Sequence, residues 1–440
     1  MKKIHLIAVG GAIMHNLAIA LKNRGYKITG SDDAIYDPAK SNLEKADLLP
    51  AVGWDTDYIT SDIDVVILGM HARADNPELQ RARELGLKIM SFPEFVADEC
   101  EDKKRIVVAG SHGKTTTTAM IMHVLSQLQM DFDYLVGSSI DGFDLSVKLT
   151  DADLIIIEGD EYLSSPLDMK SKFLWYQPHL SIIIGIAYDH INVFPTFESY
   201  LATFRSYIAS HHKDGKFFWF QKDEHLAKMV THTSVLNKAY DTPQFRLQDG
   251  GTIVTANGVD YPLAVVGKHN LENLQAAQLV CQELDISLDA FYKAAESFTG
   301  AGRRMEKIIE TETQVVYRDF AHSPSKLQAT TEAIAETYTG NTLAVFELHT
   351  FSSLNKDFLP LYKDTMSSAT KAVVYFDEEV FAHKKMIPMS PEFVKECFGN
   401  VTVLNSASEL SDLVNVAYDK GDNILLMSSG KFNNADFKFI

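Results

Sequence analysis

Cysteine is scarce: Cys100, Cys281 and Cys397 are the three in a chain of 440 residues. They lie far apart and are odd in number, so they offer neither a disulfide framework nor the CxxC spacing of a thiolate metal site. Buried thiols in a reducing compartment fit that count. No stretch reaches the ~20 consecutive apolar residues of a membrane span. The opening "MKKIHLIAVGGAIMHNLAIAL" has the outline of a secretory leader, two lysines before an apolar run. Gly10, Gly11, His15 and Asn16 break that run, however, and no small-residue cleavage site follows. A cytoplasmic protein without membrane contact is expected. Tandem repeats and low-complexity tracts are also missing. So is any dense Lys/Arg block or basic-aromatic stripe: 41 basic residues face 59 acidic ones, a net charge of −18. That argues against nucleic acid as the main partner. A chain this acidic must hold an anion with local devices such as helix N-termini, loop amides and metal ions.

What is present is an ordinary globular composition, 46% hydrophobic and 23% charged, in a chain long enough for about three domains. Strand and helix signals alternate, the pattern of parallel sheets covered by helices, and an α/β fold is expected. "KIHLIAV", "YKITGSD", "DVVILGM" and "LKIMS" read as strands of a first unit, closed by the charged run "DECEDKK" (Asp98 to Lys104). A second unit opens with the strand "RIVVAG" and includes "DLIIIEGDE" and "LSIIIGIAYDH". Near residues 216–267 antiparallel β structure is expected, with a hairpin turn at Asn257-Gly258. A third alternation follows "GAGRRME", with strands "QVVYRDF", "TLAVFEL", "KAVVYF", "VTVL" and "NILLMSS". The expected domains are residues 1–104, 105–305 and 306–440.

"GSHGKTT" stands between a hydrophobic strand and a strong helix. Gly110 and Gly113 allow the amides of Ser111, His112 and the residues around them to turn toward phosphate oxygens, and the helix beginning near Lys114 adds its positive end. Lys114 would neutralise the β- and γ-phosphates. The Thr115 hydroxyl would reach Mg²⁺, with Thr116 beside it in the first turn. The alternative is a helix start with a surface lysine. Glu158 and the pair Asp160-Glu161 end one buried strand run and Asp189-His190 the next, at the carboxyl ends where open α/β sheets bind ligands. They are either ligands of a hard cation or solvated loop acids. Asn270 and Asn273 fall on one helix face and suit an adenine edge, with helix capping by Asn270 the alternative. Arg303 and Arg304 follow flexible glycines, as a γ-phosphate clamp or as surface arginines at a hinge.

"GGAIM", "GSHGKTTT", "EGDEY", Asp189-His190, "GKHNLEN", "GRRME" and "DFAHSP", in this order over essentially the whole chain, resemble the Mur ligase family, ATP-dependent amide-forming enzymes of peptidoglycan and cell-wall synthesis. The resemblance implies three domains: an N-terminal Rossmann-like unit for a UDP-sugar, a central P-loop ATPase and a C-terminal Rossmann-like unit for the incoming amine. It implies that Gly110, Ser111, His112, Gly113, Lys114, Thr115 and Thr116 hold ATP phosphates, that Thr115 and Glu158 hold one or both of two Mg²⁺ ions, and that His190 holds the second. Asn270 and Asn273 would face adenine, Asp319 the ribose and Arg304 the γ-phosphate after domain closure. Gly10, Gly11, Ser31, Asp32 and His71 would meet the UDP-sugar, and His349 the amine substrate. Lys114, Glu158, His190 and Arg304 would carry the phosphoryl transfer to a substrate carboxylate, giving an acyl phosphate that an amine then displaces.

Several members carry a lysine, which becomes carbamylated, shortly after the metal-binding histidine in sequence. Here "FESYLATFRSY" has none, which resembles the branch acting on UDP-N-acetylmuramate. Within that branch, "GMHARADNPE", "DMKSKFLWYQP", "DFAHSP" and "LLMSSGKFNN" look more like the recycling chemistry, which adds the tripeptide L-Ala-γ-D-Glu-meso-diaminopimelate. Addition of L-alanine is the alternative, weakened because Thr350 follows His349 where that chemistry places an arginine. Ala8 and Ile13 stand where the usual N-terminal pattern has glycines, so a less permissive loop path is expected there. A monomer or weak homodimer is expected. A P-loop kinase would not need the third α/β unit. A dinucleotide oxidoreductase, suggested by "GGAIM", leaves "GSHGKTT" unexplained.

Overall fold

The computed structural model describes residues 1–70, 72–248, 251–302 and 304–439. By internal contacts the chain divides into two compact units, Met1–Ile186 with Phe197–Tyr240, and Ala187–Thr196 with Asp241–Ile440.

The first unit contains two sheets. Strands β1 (Lys3–Ile7), β2 (Lys27–Ser31), β3 (Val65–Leu68) and β4 (Lys88–Ser91) form a parallel sheet in the order β2-β1-β3-β4. Helices α1 (Met14–Asn23), α2 (Ala39–Lys45), α3 (Pro77–Glu84) and α4 (Phe92–Glu99) belong to the same segment. β3, "VVIL", is buried at every residue, the signature of a parallel strand covered on both faces. The start of α3 shows the local logic. Pro77 presets the first helical turn, and the Asn76 side chain accepts from the Leu79 amide at 3.0 Å.

The second sheet comprises β5 (Lys104–Ala109), β6 (Asp133–Leu135), β7 (Val147–Lys148), β8 (Leu154–Glu158), β9 (Leu180–Ile183), β10 (Lys216–Phe220) and β11 (Leu236–Tyr240). Their order is β11-β10-β9-β5-β8-β6-β7, parallel except for β7 against β6. Helices α5 (Lys114–Gln127), α6 (Phe197–Ala209) and α7 (Glu224–Val230) go with it. β5 lies between β8 and β9. The strand order reverses there, and the carboxyl ends of these three strands adjoin, the place where an open α/β sheet accepts ligand.

The second unit opens with a meander of β12 (Phe245–Gln248), β13 (Gly251–Ala256) and β14 (Val259–Leu263). The expected hairpin turn is present, with Asn257 at φ 50° and Gly258 at φ 77°. Helices α8 (Lys268–Gln282) and α9 (Leu288–Ala295) follow. Strands β15 (Glu306–Glu310), β16 (Val315–Asp319), β17 (Thr342–Glu347), β18 (Lys371–Tyr375), β19 (Thr402–Leu404) and β20 (Asn423–Met427) then form a sheet in the order β15-β16-β20-β17-β18-β19. It is parallel except for β15 at the edge. Helices α10 (Pro324–Thr337), α11 (Glu378–His383), α12 (Pro391–Phe398) and α13 (Ala407–Asp419) complete it. Its two faces support separate apolar cores, one around Phe346, Tyr362 and Phe398, the other around Val345, Leu410 and Val414. The three cysteines are buried and unpaired, as their spacing implied. No helix among the described residues is long and apolar enough to cross a membrane.

Candidate functional site

The loop between β5 and α5 is built on two glycines in conformations that other residues disfavour. Gly110 has φ +133°, and a β-carbon there would stand 3.1 Å from the Ile184 amide nitrogen and 3.2 Å from that of Gly185. Gly113 sits at φ 76° directly before the helix. The Ser111 amide donates to the Gly185 carbonyl at 2.9 Å, tying the loop to the chain beyond β9, and the His112 ring lies against Gly185. Thr116 is buried within the first turn of α5. The loop amides and the helix N-terminus thus sit at the carboxyl edge of the sheet, as an anion cradle requires.

Lys114 bends back over this loop. Its ammonium donates to the Gly110 carbonyl at 2.7 Å and to Glu161 Oε2 at 2.6 Å. The lysine side chain is 12% exposed and Glu161 is fully buried. Burial by itself would favour the neutral amine, but Glu161 and then Asp160 outweigh it and hold the Lys114 pKa above that of an ordinary lysine. Glu161 Oε1 accepts from the Tyr200 hydroxyl at 2.8 Å, and that hydroxyl is 2.7 Å from Ser111 Oγ. Asp160 pairs directly with Lys172 at 2.6 Å. Neighbouring carboxylates therefore have different tasks. The acidic pair was visible in the sequence, but which member faces the lysine was not.

Thr115 Oγ1 donates to Glu158 Oε1 at 2.8 Å, while Glu158 Oε2 accepts the Gly137 amide at 2.9 Å. A hydroxyl and a carboxylate at the mouth of a phosphate cradle form a hard oxygen set. That suits Mg²⁺, which takes one or two protein ligands and completes its shell with water and phosphate. No group of three or more His, Cys, Asp or Glu side chains with metal-ligand placement occurs among the described residues.

At the carboxyl end of β1, the Gly10 amide donates to Asp32 Oδ2 at 2.7 Å, and a β-carbon on Gly10 would come within 2.9 Å of that oxygen. Asp32 Oδ1 is buried without a hydrogen-bond partner, and burial raises the pKa of this carboxyl. Ser31 donates to Glu78, which also accepts the Asp55 amide at 2.7 Å. Gly11 opens the turn into α1, its carbonyl accepting the His15 amide at 3.1 Å. The expected less permissive loop path holds at Ile13 and fails at Ala8. Ala8 takes φ 66°, the left-handed region glycine favours, and Ile13 is already in a right-handed helical conformation. His71 lies outside the described residues.

In the second unit, His190 has φ 54°, and its amide donates to Asp189 Oδ1 at 2.7 Å. Both residues follow β9 in sequence but pack with the later half of the chain. Asn270 and Asn273 do lie together on α8, both buried, with Asn273 Nδ2 3.5 Å from Asn270 Oδ1. The capping alternative for Asn270 fails: Gly267 precedes the helix, and Asn270 Nδ2 donates to the Val266 carbonyl at 2.8 Å. Asp319 ends β16 and accepts the Met305 and Ala321 amides, each at 2.6 Å. Burial raises its pKa although the Arg304 charge opposes this. The Arg304 guanidinium lies 4.6 Å from the centre of the Phe320 ring, and Arg303 lies outside the described residues. His322 is pushed down to about 3 by burial and then by Lys326, so it is a neutral imidazole. It is held at 2.8 Å from the Phe320 carbonyl. His349 lies beside the loop 428–430, with Ser429 Oγ 3.4 Å from its Nδ1. The Thr350 hydroxyl turns inward to Ser353 Oγ at 3.0 Å and accepts the Ser353 amide at 3.1 Å.

Three family models match the chain in succession: the Mur ligase family catalytic domain over residues 3–104, the Mur ligase middle domain over 108–281, and the Mur ligase glutamate ligase domain over 303–430. The UDP-N-acetylmuramate–L-alanyl-γ-D-glutamyl-meso-2,6-diaminoheptandioate ligase of Haemophilus influenzae is 28% identical, covering 100% of this chain and 99% of its own. The UDP-N-acetylmuramate–L-alanine ligase of Caldicellulosiruptor saccharolyticus is also 28% identical, covering 98% and 97%. Among solved structures, the UDP-N-acetylmuramate-alanine ligase of Thermotoga maritima superposes with a TM-score of 0.73 over 99% of this chain and 97% of its own, at 22% identity.

Proposed function

From the premise that the chain belongs to the Mur ligase family and is an ATP-dependent ligase, we propose that it joins UDP-N-acetylmuramate to the tripeptide L-Ala-γ-D-Glu-meso-diaminopimelate. The observation that carries the choice of amine is Thr350. L-alanine offers little besides its carboxylate for recognition, and a guanidinium is the side chain best shaped to take that group in two parallel hydrogen bonds. Here the residue after His349 is a threonine whose hydroxyl is committed to Ser353, which favours a larger acceptor held over a wider surface. The equal identity to an L-alanine ligase makes L-alanine the competing substrate.

In this reading residues 1–104 bind the UDP-sugar through Gly10, Gly11, Ser31, Asp32 and His71, residues 105–305 use ATP, and residues 306–440 receive the amine near His349. Lys114 and the loop amides hold the phosphates, with Arg304 as a second cation for the transferring group. Asn270 and Asn273 face adenine and Asp319 the ribose. Thr115 and Glu158 would hold one or both Mg²⁺ ions and His190 the second, and the ions when bound would supply charge neutralisation on the phosphates. The substrate carboxylate takes the γ-phosphoryl group, and the amine then displaces phosphate to leave the amide. Lys114 and the loop amides act before chemistry, placing the phosphoryl group in line with the carboxylate.

The test is phosphate release from Mg·ATP and UDP-N-acetylmuramate, comparing tripeptide with L-alanine. Release with the tripeptide alone supports the proposal. Release with L-alanine alone overturns the choice of amine while keeping the ligase.

A further inference from the structure

We propose that Tyr200 is a positioning residue of the nucleotide cradle, acting through Glu161 on Lys114 and through Ser111 on the loop. The inference rests on the reading of that loop as the ATP site and goes beyond it. Tyr200 is fully buried in α6. Its hydroxyl joins three segments, the loop after β5, the loop after β8, and α6 itself, through contacts of 2.7 Å to Ser111 Oγ and 2.8 Å to Glu161 Oε1.

The direction of these bonds follows from the donors available. An ionised carboxylate only accepts, so the single phenolic proton points to Glu161. The Ser111–Tyr200 contact must then run from the serine hydroxyl to the phenolic oxygen. The chain reads Ser111 to Tyr200 to Glu161, with Lys114 meeting the second Glu161 oxygen at 2.6 Å. An ammonium has three protons. Two of Lys114's point at Gly110 and Glu161, which leaves the third for a phosphate oxygen.

For that third donor to be offered well, Glu161 must hold the lysine without monopolising it. The Tyr200 proton takes part of the negative charge that a fully buried carboxylate would otherwise direct at its ammonium. Removing it leaves Glu161 drawing harder on Lys114, so an incoming phosphate competes less well. Ser111 simultaneously loses an acceptor that orients the loop.

The test is calorimetric binding of Mg²⁺ with a non-hydrolysable ATP analogue, AMP-PNP, to the full chain. It compares wild type with Tyr200→Phe, Glu161→Gln, the double variant and Lys114→Ala. Tyr200→Phe keeps the ring and its packing and is expected to weaken binding about tenfold, the size of one hydrogen bond to a charged group. In the Glu161→Gln background the same change is expected to cost clearly less, because the carboxylate charge it answers is gone and only the Ser111 contact is still lost. Wild-type affinity in Tyr200→Phe would overturn the proposal, as would an equal loss in both backgrounds, which would mark a packing effect. Undiminished binding by Lys114→Ala would instead overturn the cradle reading beneath it.

Discussion

Thr115 donates its hydroxyl to Glu158 at 2.8 Å, joining the first turn of α5 to the carboxyl end of the neighbouring strand β8. A Mg²⁺ held by these oxygens would replace a bond they already make to each other, so the ligands are pre-placed. Thr115→Val and Glu158→Gln should each lower phosphate release by at least about a hundredfold. Both should also raise the Mg²⁺ concentration needed for half-maximal rate, while Thr115→Ser recovers most of the activity. An unchanged Mg²⁺ requirement in both variants would remove the metal assignment.

Lys114→Ala deletes the ammonium that lies over the cradle. Turnover should fall by about a thousandfold or more, since phosphoryl transfer depends on charge placed at the phosphates. UDP-N-acetylmuramate should still bind, because residues 1–104 contain their own sheet. Fluorescence titration with the UDP-sugar reports the second point and guards against a folding defect, since Glu161 stays buried without this ammonium. Near wild-type turnover would refute the cradle.

Much of the frame was legible because parallel strands announce themselves. "VVIL" and the "LIII" that precedes Glu158 are buried throughout, and the two glycines of "GSHGKTT" mark a loop whose positive φ angles favour glycine. The edges were not legible. β15 is an antiparallel edge strand, "EKIIE", with partly exposed residues throughout, so it lacks the continuous apolar run of its neighbours. Nor could the sequence separate Asp160 from Glu161, since adjacent residues point in different directions and the partner of each, Lys172 or Lys114, is decided by the fold. Tyr200 reads in sequence as one apolar position of an amphipathic helix, and nothing in that pattern shows where its hydroxyl goes. Ala8 makes the complementary point: tertiary structure holds a non-glycine residue at φ 66°, a cost that local propensity alone would have refused.

His211 should make the first unit less stable in mild acid. Its Nδ1 faces the Ile208 carbonyl at 2.9 Å and so carries the proton, which makes Nε2 the acceptor for the Ser181 hydroxyl at 2.7 Å. Burial pushes the ring from 6.5 down to about 4. A folded pKa below the unfolded one means that the unfolded chain takes the proton first as pH falls. The stability contributed by the neutral ring is therefore complete above pH 6.5 and drains away toward pH 4. The urea midpoint of wild type should fall more steeply between pH 7 and 5 than that of His211→Gln, other groups cancelling in the comparison. An imidazole NMR titration centred near its ordinary value would contradict this.

Gly267, immediately before α8, should tolerate no side chain. Its φ of 89° with ψ 139° is a conformation left almost entirely to glycine. A β-carbon would also stand 2.6 Å from that of Ala333 on α10 and 3.0 Å from the His269 ring. Gly267→Ala should destabilise the second unit by about 1–3 kcal/mol from backbone strain, with a further loss from the clash. Adding Ala333→Gly removes the clash with α10 but neither the approach to the His269 ring nor the strain, so the double variant should recover part of the loss in urea unfolding. α8 carries Asn270 and Asn273, and nucleotide affinity should follow the same order: wild type, double variant, Gly267→Ala. If Ala333→Gly instead adds its own full cost to that of Gly267→Ala, the two positions do not meet and the close approach is wrong.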